Sequence, residues 1–161
     1  MYEQIRPEAD AAGLRVGLAV SRYHHRITDA LCEAAVERFR RAGGADADLR
    51  VVQTPGAFEL TAVCRAFAAG GDIDAVVALG CVISGETDHD RYLAAAVATG
   101  LTMITVDTGI PVAFGLLTCA SLDQAAARAG GDHGNKGDEA MYAAIETARV
   151  IQSLSPAREC P

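Results

Sequence analysis

Two kinds of apolar stretch alternate along this chain, and their order restricts the folds open to it. Apolar runs at residues 14–20, 75–83 and 112–117 and a short stretch at residues 49–53 predict strands, and the nearly unbroken run at residues 14–20 is typical of a strand that is buried in a parallel sheet. Between these runs, apolar residues recur every three or four positions, which predicts helices that end at glycine pairs and, for the last one, at Pro156. This alternation predicts an α/β domain with a parallel sheet and helices on both faces.

One segment leaves two alternatives open. Residues 101–106 carry β-branched side chains that suit a strand, but they can equally prolong the helix that begins near Asp88. We expect residues 1–13 to form an N-terminal arm, residues 14–155 a single domain and residues 156–161 a C-terminal tail. The length permits such a domain, because folding at this size buries roughly 70% of the surface of the unfolded chain.

Charge and cysteine content argue against several classes of protein. The net charge is −7 and no run of four Lys or Arg occurs, so nucleic-acid binding is not expected. No apolar run reaches the roughly 18 residues that span a bilayer, and no charged-then-apolar leader opens the chain. The five cysteines form no CxxC pair and are odd in number, which is typical of reduced thiols. We therefore expect a cytoplasmic protein that binds no membrane.

In a parallel sheet, ligands bind beyond the carboxyl ends of the strands, so the loops there hold the candidate site residues. Tyr23 follows the first strand, where it can stack on a flat ring or simply cover the edge of the core. Pro55 and Gly56 give a rigid turn after the second strand, and Glu59 follows at the start of a helix. Glu59 can accept hydrogen bonds from substrate hydroxyls or serve only the helix dipole.

The segment after the third strand, residues 84–90, is the most informative. A glycine turn at Gly85 leads into a helix N-terminus, whose unpaired N–H groups favour an anion such as phosphate. Thr87 can bind that phosphate or merely cap the helix. His89 can exchange protons with a bound substrate or have a structural role. A metal site is not expected, because no second well-placed His or Cys accompanies His89.

An aromatic and two cationic residues lie late in the chain. Phe114 lies in the fourth predicted strand, Arg128 ends the fourth helix and Lys136 precedes the last one. Arg binds phosphate in bidentate geometry, and Lys makes a point contact. For Arg128, the alternative is a cation that only stabilises a helix C-terminus.

In their order and spacing, these stretches resemble the 6,7-dimethyl-8-ribityllumazine synthase family. The resemblance runs from about Leu14 to Ile151, which is almost the whole chain. The stretches that carry it are Tyr23, residues 55–59, 80–83, 85–89, 111–115 and 117–118, Gln124, and residues 128–130 and 135–137.

The resemblance implies a three-layer flavodoxin-like sandwich with a four-stranded parallel sheet, whose third helix continues through residues 101–106. It implies condensation of 5-amino-6-(D-ribitylamino)uracil with 3,4-dihydroxy-2-butanone 4-phosphate to 6,7-dimethyl-8-ribityllumazine, without a cofactor. This reaction is the penultimate step of riboflavin synthesis. The resemblance also implies homopentamers. In these, the N-terminal arm joins a neighbour's sheet, and adjacent subunits share each active site. Family pentamers also build decamers or icosahedral shells, and riboflavin synthase is a candidate partner.

The same resemblance assigns roles to individual residues. His89 is the expected catalytic group that moves protons. The pyrimidine and its ribityl chain are expected to contact Tyr23, Ala57, Phe58, Glu59, Cys81, Val82 and Ile83. The phosphate of the ketone is expected at Gly85, Glu86 and Thr87. A neighbouring subunit is expected to add Phe114 over the ring, Arg128 on the phosphate and the positive charge of Lys136.

Two positions depart from the family's usual pattern. Ser84 stands where many members carry Arg, and Asp90 follows His89 where an aromatic residue is usual. Losing a cation near the phosphate is expected to raise the KM for the ketone. A non-catalytic homologue that binds flavin or lumazine, or only forms shells, is the alternative function. Such a homologue would not need both His89 and Arg128.

Overall fold

The computed structural model describes Tyr2 and residues 4–154, and its main sheet has four strands that all run parallel. In chain order, the strands are β1 (Val16–Ser21), β2 (Leu49–Thr54), β3 (Ala75–Ile83) and β4 (Val112–Cys119). Their order across the sheet is β2-β1-β3-β4, so β1 and β3 are central while β2 and β4 are edges. The predicted parallel sheet is confirmed.

Within residues 4–154, five α-helices cover the two faces of this sheet. They are α1 (His25–Arg41), α2 (Leu60–Ala69), α3 (His89–Thr108), α4 (Leu122–Ala127) and α5 (Lys136–Leu154). One buried cluster joins the sheet to α1, α4 and α5, and a second joins it to α2 and α3. This arrangement confirms the three-layer flavodoxin-like sandwich. None of the helices in the described part of the chain is both long enough and apolar enough to cross a membrane.

Strand β3 shows why the apolar runs are nearly continuous. All its residues except the last, Ile83, are buried. Val77 and Leu79 contribute to one core cluster, whereas Val76 and Ala78 contribute to the other. Successive side chains of a strand point to opposite faces, so a strand with helices on both faces needs apolar residues at every position.

The ambiguous segment at residues 101–106 is helical, because α3 continues from His89 to Thr108. Leu101 and Ile104 are buried at a helical spacing, and the helix ends where Gly109 adopts a left-handed backbone with φ of 71°. The β-branched residues of this segment therefore gave a misleading strand signal, as packing of a buried helical face overrides local propensity. The helix implied by the family resemblance is the one observed.

The fourth helix is shorter than its sequence pattern predicts. It ends at Ala127, before the glycine pair at residues 130–131. The chain then forms a small antiparallel hairpin of β5 (Ala129–Gly131) and β6 (Gly134–Asn135). Gly130 and Gly134 have positive φ there, a conformation that glycine adopts at little cost. The glycines at residues 130, 131 and 134 therefore belong to the hairpin, and the glycine pair does not mark the end of α4.

The final part of the predicted N-terminal arm packs on its own domain. Ala11 is fully buried, and its N–H donates to the Ala42 carbonyl at 2.7 Å. The Arg149 guanidinium donates to the Asp10 and Ala12 carbonyls at 2.7 and 2.6 Å. Within the described residues, the chain from about Ala9 onward therefore packs against the domain. Pro156 and the predicted tail at residues 156–161 lie outside the described residues.

Candidate active site

A cavity of about 630 Å³ lies at the carboxyl ends of β1 and β3, bounded by the loops that follow β1, β2 and β3. We call it the loop pocket. Two of its aromatic side chains are largely exposed, Tyr23 at 68% and Phe58 at 64%. The residues that line it are Tyr23, His24, Gly56, Ala57, Phe58, Glu59, Cys81, Val82, Ile83, Gly85, Thr87, His89, Asp90 and Leu93.

The loop after β1 places Tyr23 at the mouth of the loop pocket. The Tyr23 N–H donates to Ser21 Oγ at 3.3 Å, and its ring lies edge-on to His24 with 5.1 Å between centroids. His24 has a left-handed backbone with φ of 57°, and its carbonyl accepts the N–H groups of Ile27 and Thr28. This conformation is uncommon for a residue other than glycine. It ends the loop and starts α1, and it leaves an exposed aromatic ring at the pocket mouth.

The loop after β2 places an uncompensated carboxylate beside that ring. Thr54 Oγ1 donates to the Gly56 carbonyl at 2.8 Å, which fixes the Pro–Gly turn. Glu59 occupies the N-cap position of α2, and its carbonyl accepts the Val63 N–H. A Cβ placed on Gly56 would lie 3.0 Å from Glu59 Oε2, so the carboxylate folds back over the turn. Within the described residues this carboxylate has no hydrogen bond or ion pair, and it is free to accept from a ligand.

The end of β3 forms the floor of the loop pocket. Cys81 is only 2% exposed, and burial raises the pKa of its thiol to about 11, with a smaller contribution from nearby Cys119. A thiol with so high a pKa stays protonated near neutral pH and is a poor nucleophile. Cys81 therefore contributes shape and backbone groups to the floor, and covalent chemistry at its sulfur is not expected.

The loop after β3 offers a row of unpaired backbone donors. Among the described residues, none of the N–H groups from Gly85 to Asp90 has a hydrogen-bond acceptor. The N-cap residue of α3, Asp88, makes no capping bond with its side chain. Unpaired N–H groups at a helix N-terminus favour an anion, since the helix dipole adds partial positive charge there. The geometry fits a phosphate group.

His89 is the first residue of α3 and lines the pocket next to this row of donors. Its imidazole is exposed and has no hydrogen-bond partner within the described chain, so both ring nitrogens can reach a ligand. Glu86 belongs to the same loop but does not line the cavity. The Glu86 side chain is exposed, and its backbone N–H has no acceptor within the described residues.

A smaller cavity, of about 290 Å³, is lined by the predicted residues Phe114, Arg128 and Lys136. We call it the edge cleft, because it runs along the edge strand β4 from Phe114 to Cys119 and includes Arg128 and Lys136. Phe114 is 48% exposed. The Arg128 guanidinium donates to the Gln124 carbonyl at 3.1 Å, and the Lys136 ammonium donates to the Glu139 carboxylate. The edge cleft and the loop pocket share no lining residue.

The two cavities also differ in charge. Glu59 and Asp90 are the acidic residues that line the loop pocket, and no Lys or Arg of the described chain lines it. The edge cleft has two cations and no acidic lining residue. Within the described residues, no three His, Cys, Asp or Glu side chains are grouped closely enough to hold a metal ion.

Known proteins resemble this chain in sequence over most of its length. The family model described as 6,7-dimethyl-8-ribityllumazine synthase matches residues 13–152. The chain belongs to this family. Proteins named 6,7-dimethyl-8-ribityllumazine synthase are 44% identical in Thermus thermophilus over 94% of this chain and 96% of theirs. Those of Anaeromyxobacter dehalogenans and Aquifex aeolicus are 46% and 42% identical, over 91% and 89% of this chain and 92% and 94% of theirs.

Membership of the lumazine synthase family confirms the resemblance seen in the sequence, but some pocket residues escaped that reasoning. His24, Gly56 and Leu93 line the loop pocket without having been assigned a role. The position of His24 depends on its left-handed backbone, for which a histidine gives only a weak signal. Leu93 had a usable signal, because it lies one helical turn after His89 and therefore on the same face of α3.

Proposed function

We propose that this chain condenses 5-amino-6-(D-ribitylamino)uracil with 3,4-dihydroxy-2-butanone 4-phosphate to give 6,7-dimethyl-8-ribityllumazine, phosphate and water. Family membership supports this product, since relatives at 42–46% identity carry that name. The observation that carries the proposal is the loop pocket itself. It combines exposed aromatic rings, a row of unpaired N–H groups and a free imidazole in one cavity. A flat ring, a phosphate and a proton carrier are what this reaction needs.

The pyrimidine substrate fits the aromatic side of the pocket. Tyr23 and Phe58 offer exposed ring faces for stacking on a heteroaromatic ring. Glu59 accepts hydrogen bonds from the ribityl hydroxyls, because its carboxylate has no partner within the described protein. Ala57 and the backbone of the segment Cys81, Val82 and Ile83 define the edge of the ring site.

The phosphorylated ketone fits the other side. Its phosphate accepts the free N–H groups around Gly85, Glu86 and Thr87. A phosphate monoester carries up to two negative charges, and the loop pocket supplies no cation to balance them. The edge cleft of a neighbouring subunit supplies that balance through Arg128 and Lys136, and its Phe114 closes over the ring.

The chemistry then proceeds by proton transfers between two bound substrates. The 5-amino nitrogen attacks the ketone carbonyl carbon, and loss of water gives an imine. Elimination breaks the C–O bond to phosphate, and the ribitylamino nitrogen closes the second ring with loss of a second water. His89 moves the protons, since it lies beside the loop of residues 84–90 and its exposed imidazole has no hydrogen-bond partner in the described chain. Holding two substrates together in a reactive orientation can lower a barrier by up to roughly 7–11 kcal/mol.

We further propose a homopentamer in which each loop pocket meets a neighbour's edge cleft. Both edges of the sheet are open within the described chain, and on β2 the residues Val51 and Val52 are 47% and 39% exposed. Exposed apolar edge strands are normally covered by another segment. A neighbour's N-terminal arm is the proposed cover for β2. Decamers or icosahedral shells, association with riboflavin synthase and a cytoplasmic location belong to the same proposal.

The deciding experiment mixes the purified chain with both substrates and a metal chelator. Lumazine absorbance and phosphate release are followed together, and we expect them to rise in parallel. The control for site variants is Arg65→Ala, which should form lumazine at the rate of the unmodified chain. Arg65 is exposed on α2 and lines neither cavity. Binding of lumazine or riboflavin without any product would instead assign the chain to the non-catalytic alternative and refute the proposal.

A further inference from the structure

The two positions that depart from the family's usual pattern contact each other. Ser84 Oγ donates a hydrogen bond to Asp90 Oδ2 at 2.9 Å. Ser84 directly follows β3, and its N–H donates to the Cys119 carbonyl at 2.9 Å, which fixes its backbone to the end of β4. Asp90 is half-buried in the first turn of α3 and lines the loop pocket. The bond therefore joins the end of the sheet to the start of the helix.

The Ser84–Asp90 bond closes the loop after β3 into a ring, and we call residues 84–90 the phosphate loop. Residues 85–89 lie between its two partners, and their backbone N–H groups have no acceptor in the described chain. Nor does a side chain cap α3, since Asp88 makes no capping bond. Across the described residues, the Ser84–Asp90 contact is the side-chain hydrogen bond that spans this loop. Without it, the row of donors would be held only by the strand before it and the helix after it.

We propose that Ser84 and Asp90 are positioning residues for the phosphate of the ketone, an inference that rests on the proposed function. Their bond holds the loop in the conformation in which its N–H groups are available before the ligand arrives. A pre-organised loop binds more tightly because less ordering is required on binding. The Asp90 carboxylate also places a negative charge beside an anion site. Its negative charge opposes phosphate binding, while its hydrogen bond to Ser84 favours it.

These two effects can be separated by substitution. Ser84→Ala removes the bond and keeps the charge, whereas Asp90→Asn keeps an acceptor for the Ser84 hydroxyl and removes the charge. Ser84→Thr is the conservative control, since it retains a hydroxyl. Each variant is titrated with inorganic phosphate by calorimetry, and the KM of each substrate is measured separately. Thermal unfolding of each variant checks that the fold is kept.

We expect Ser84→Ala to weaken phosphate binding and to raise the KM for the phosphorylated ketone by about 2- to 10-fold, the effect of one hydrogen bond. The KM for the pyrimidine should not change. Ser84→Thr should restore the parent values, and Asp90→Asn should bind phosphate at least as well as the parent. In an Asp90→Ala background, Ser84→Ala should have no further effect, because the bond is already absent.

Two results would overturn the inference. If Ser84→Ala leaves phosphate affinity unchanged while Asp90→Asn and Asp90→Ala both tighten it, Asp90 acts through its charge alone. If Ser84→Ala raises the KM of both substrates equally, the bond supports the pocket in general and does not position the phosphate. Lumazine formation by the parent chain is measured first. Its absence would refute the proposed function, while the phosphate titrations would still report on the loop.

Discussion

The loop pocket and the edge cleft offer opposite means of binding the same kind of ligand. The loop pocket supplies backbone N–H groups and aromatic faces, but its lining includes the acidic residues Glu59 and Asp90 and no Lys or Arg of the described chain. The edge cleft supplies Arg128 and Lys136 along an exposed strand. Backbone donors give an anion its geometry, and cations balance its charge. The difference suggests that each cavity lacks what the other one provides.

The two cations of the edge cleft are not equivalent. The Lys136 ammonium is already paired with the Glu139 carboxylate. Arg128 has no carboxylate partner in the described chain and donates only to the Gln124 carbonyl. A guanidinium with donors to spare suits bidentate contact with phosphate. We therefore expect Arg128 to account for most of the binding energy that the edge cleft provides.

The largest effect is expected from His89→Ala, which tests the loop pocket. Removal of a group that moves protons typically slows turnover by about 100-fold or more. We expect kcat to fall by about 100-fold without reaching zero, because bound substrates stay close together. Steady-state kinetics under saturating substrates measure the change. His25→Ala is the control, since His25 is exposed at the start of α1 and lines neither cavity. Full turnover by His89→Ala would leave the pocket without an assigned proton carrier.

The next effect is expected from Arg128→Ala, which tests the edge cleft. Loss of charge-assisted hydrogen bonds to phosphate should raise the KM for the ketone by about 30-fold. The KM for the pyrimidine should stay near its parent value. The KM of Arg128→Lys for the ketone should lie between those of the unmodified chain and Arg128→Ala, because Lys keeps the charge but loses the bidentate geometry. If Arg128→Ala changed only kcat, or matched the Arg65→Ala control, the edge cleft would have no part in binding phosphate.

These two variants act on residues that the sequence identified, and the reason is physical. His89 and Arg128 belong to helix ends, where local patterns of glycine and apolar residues fix position along the chain. The strands were equally visible, because a buried parallel strand such as β3 is apolar at every position. Local periodicity therefore located both the elements and the loops between them.

What local patterns could not predict were features that depend on backbone conformation and distant contacts. The left-handed His24, the hairpin of β5 and β6 and the Ser84–Asp90 bond were not foreseen. Each depends on a conformation or contact that residue type alone does not determine. Ser84 and Asp90 were noticed as departures from a family pattern, yet only the structure shows that they are partners.

A mixing experiment tests directly whether the two cavities meet between subunits. His89→Ala lacks an intact loop pocket and Arg128→Ala lacks an intact edge cleft. If each site takes one half from each of two neighbours, random co-assembly of equal amounts makes about a quarter of the sites intact. With the ketone kept well below its KM, where Arg128→Ala retains about a thirtieth of the activity of the unmodified chain, activity should then rise roughly eightfold above the more active single variant. The two proteins are unfolded together and refolded, and each one refolded alone is the control. No gain over the sum of the parents would mean that one chain forms the whole site.

The smallest effect is expected at Cys119, whose thiol reports on the position of Arg128. Burial raises the pKa of Cys119, and the positive charge of Arg128 opposes that rise. Arg128→Ala should therefore raise the pKa further and lower the thiolate fraction at any pH below it. Since the thiolate is the reactive form, alkylation of Cys119 at pH 8 should slow by about two- to threefold. Peptide mass spectrometry follows each cysteine separately.

Cys64 provides the internal reference for that measurement. Burial alone raises the pKa of Cys64 to about 12, so its slow reaction should not depend on Arg128. As long as the pH is below their pKa values, both thiols should react about tenfold faster for each unit by which the pH is raised. Equal slowing at both cysteines would indicate that the variant opens less often to expose its buried thiols, and would not report on the charge of Arg128. An unchanged rate at Cys119 would place the guanidinium away from the end of β4, where it could not belong to the edge cleft as described.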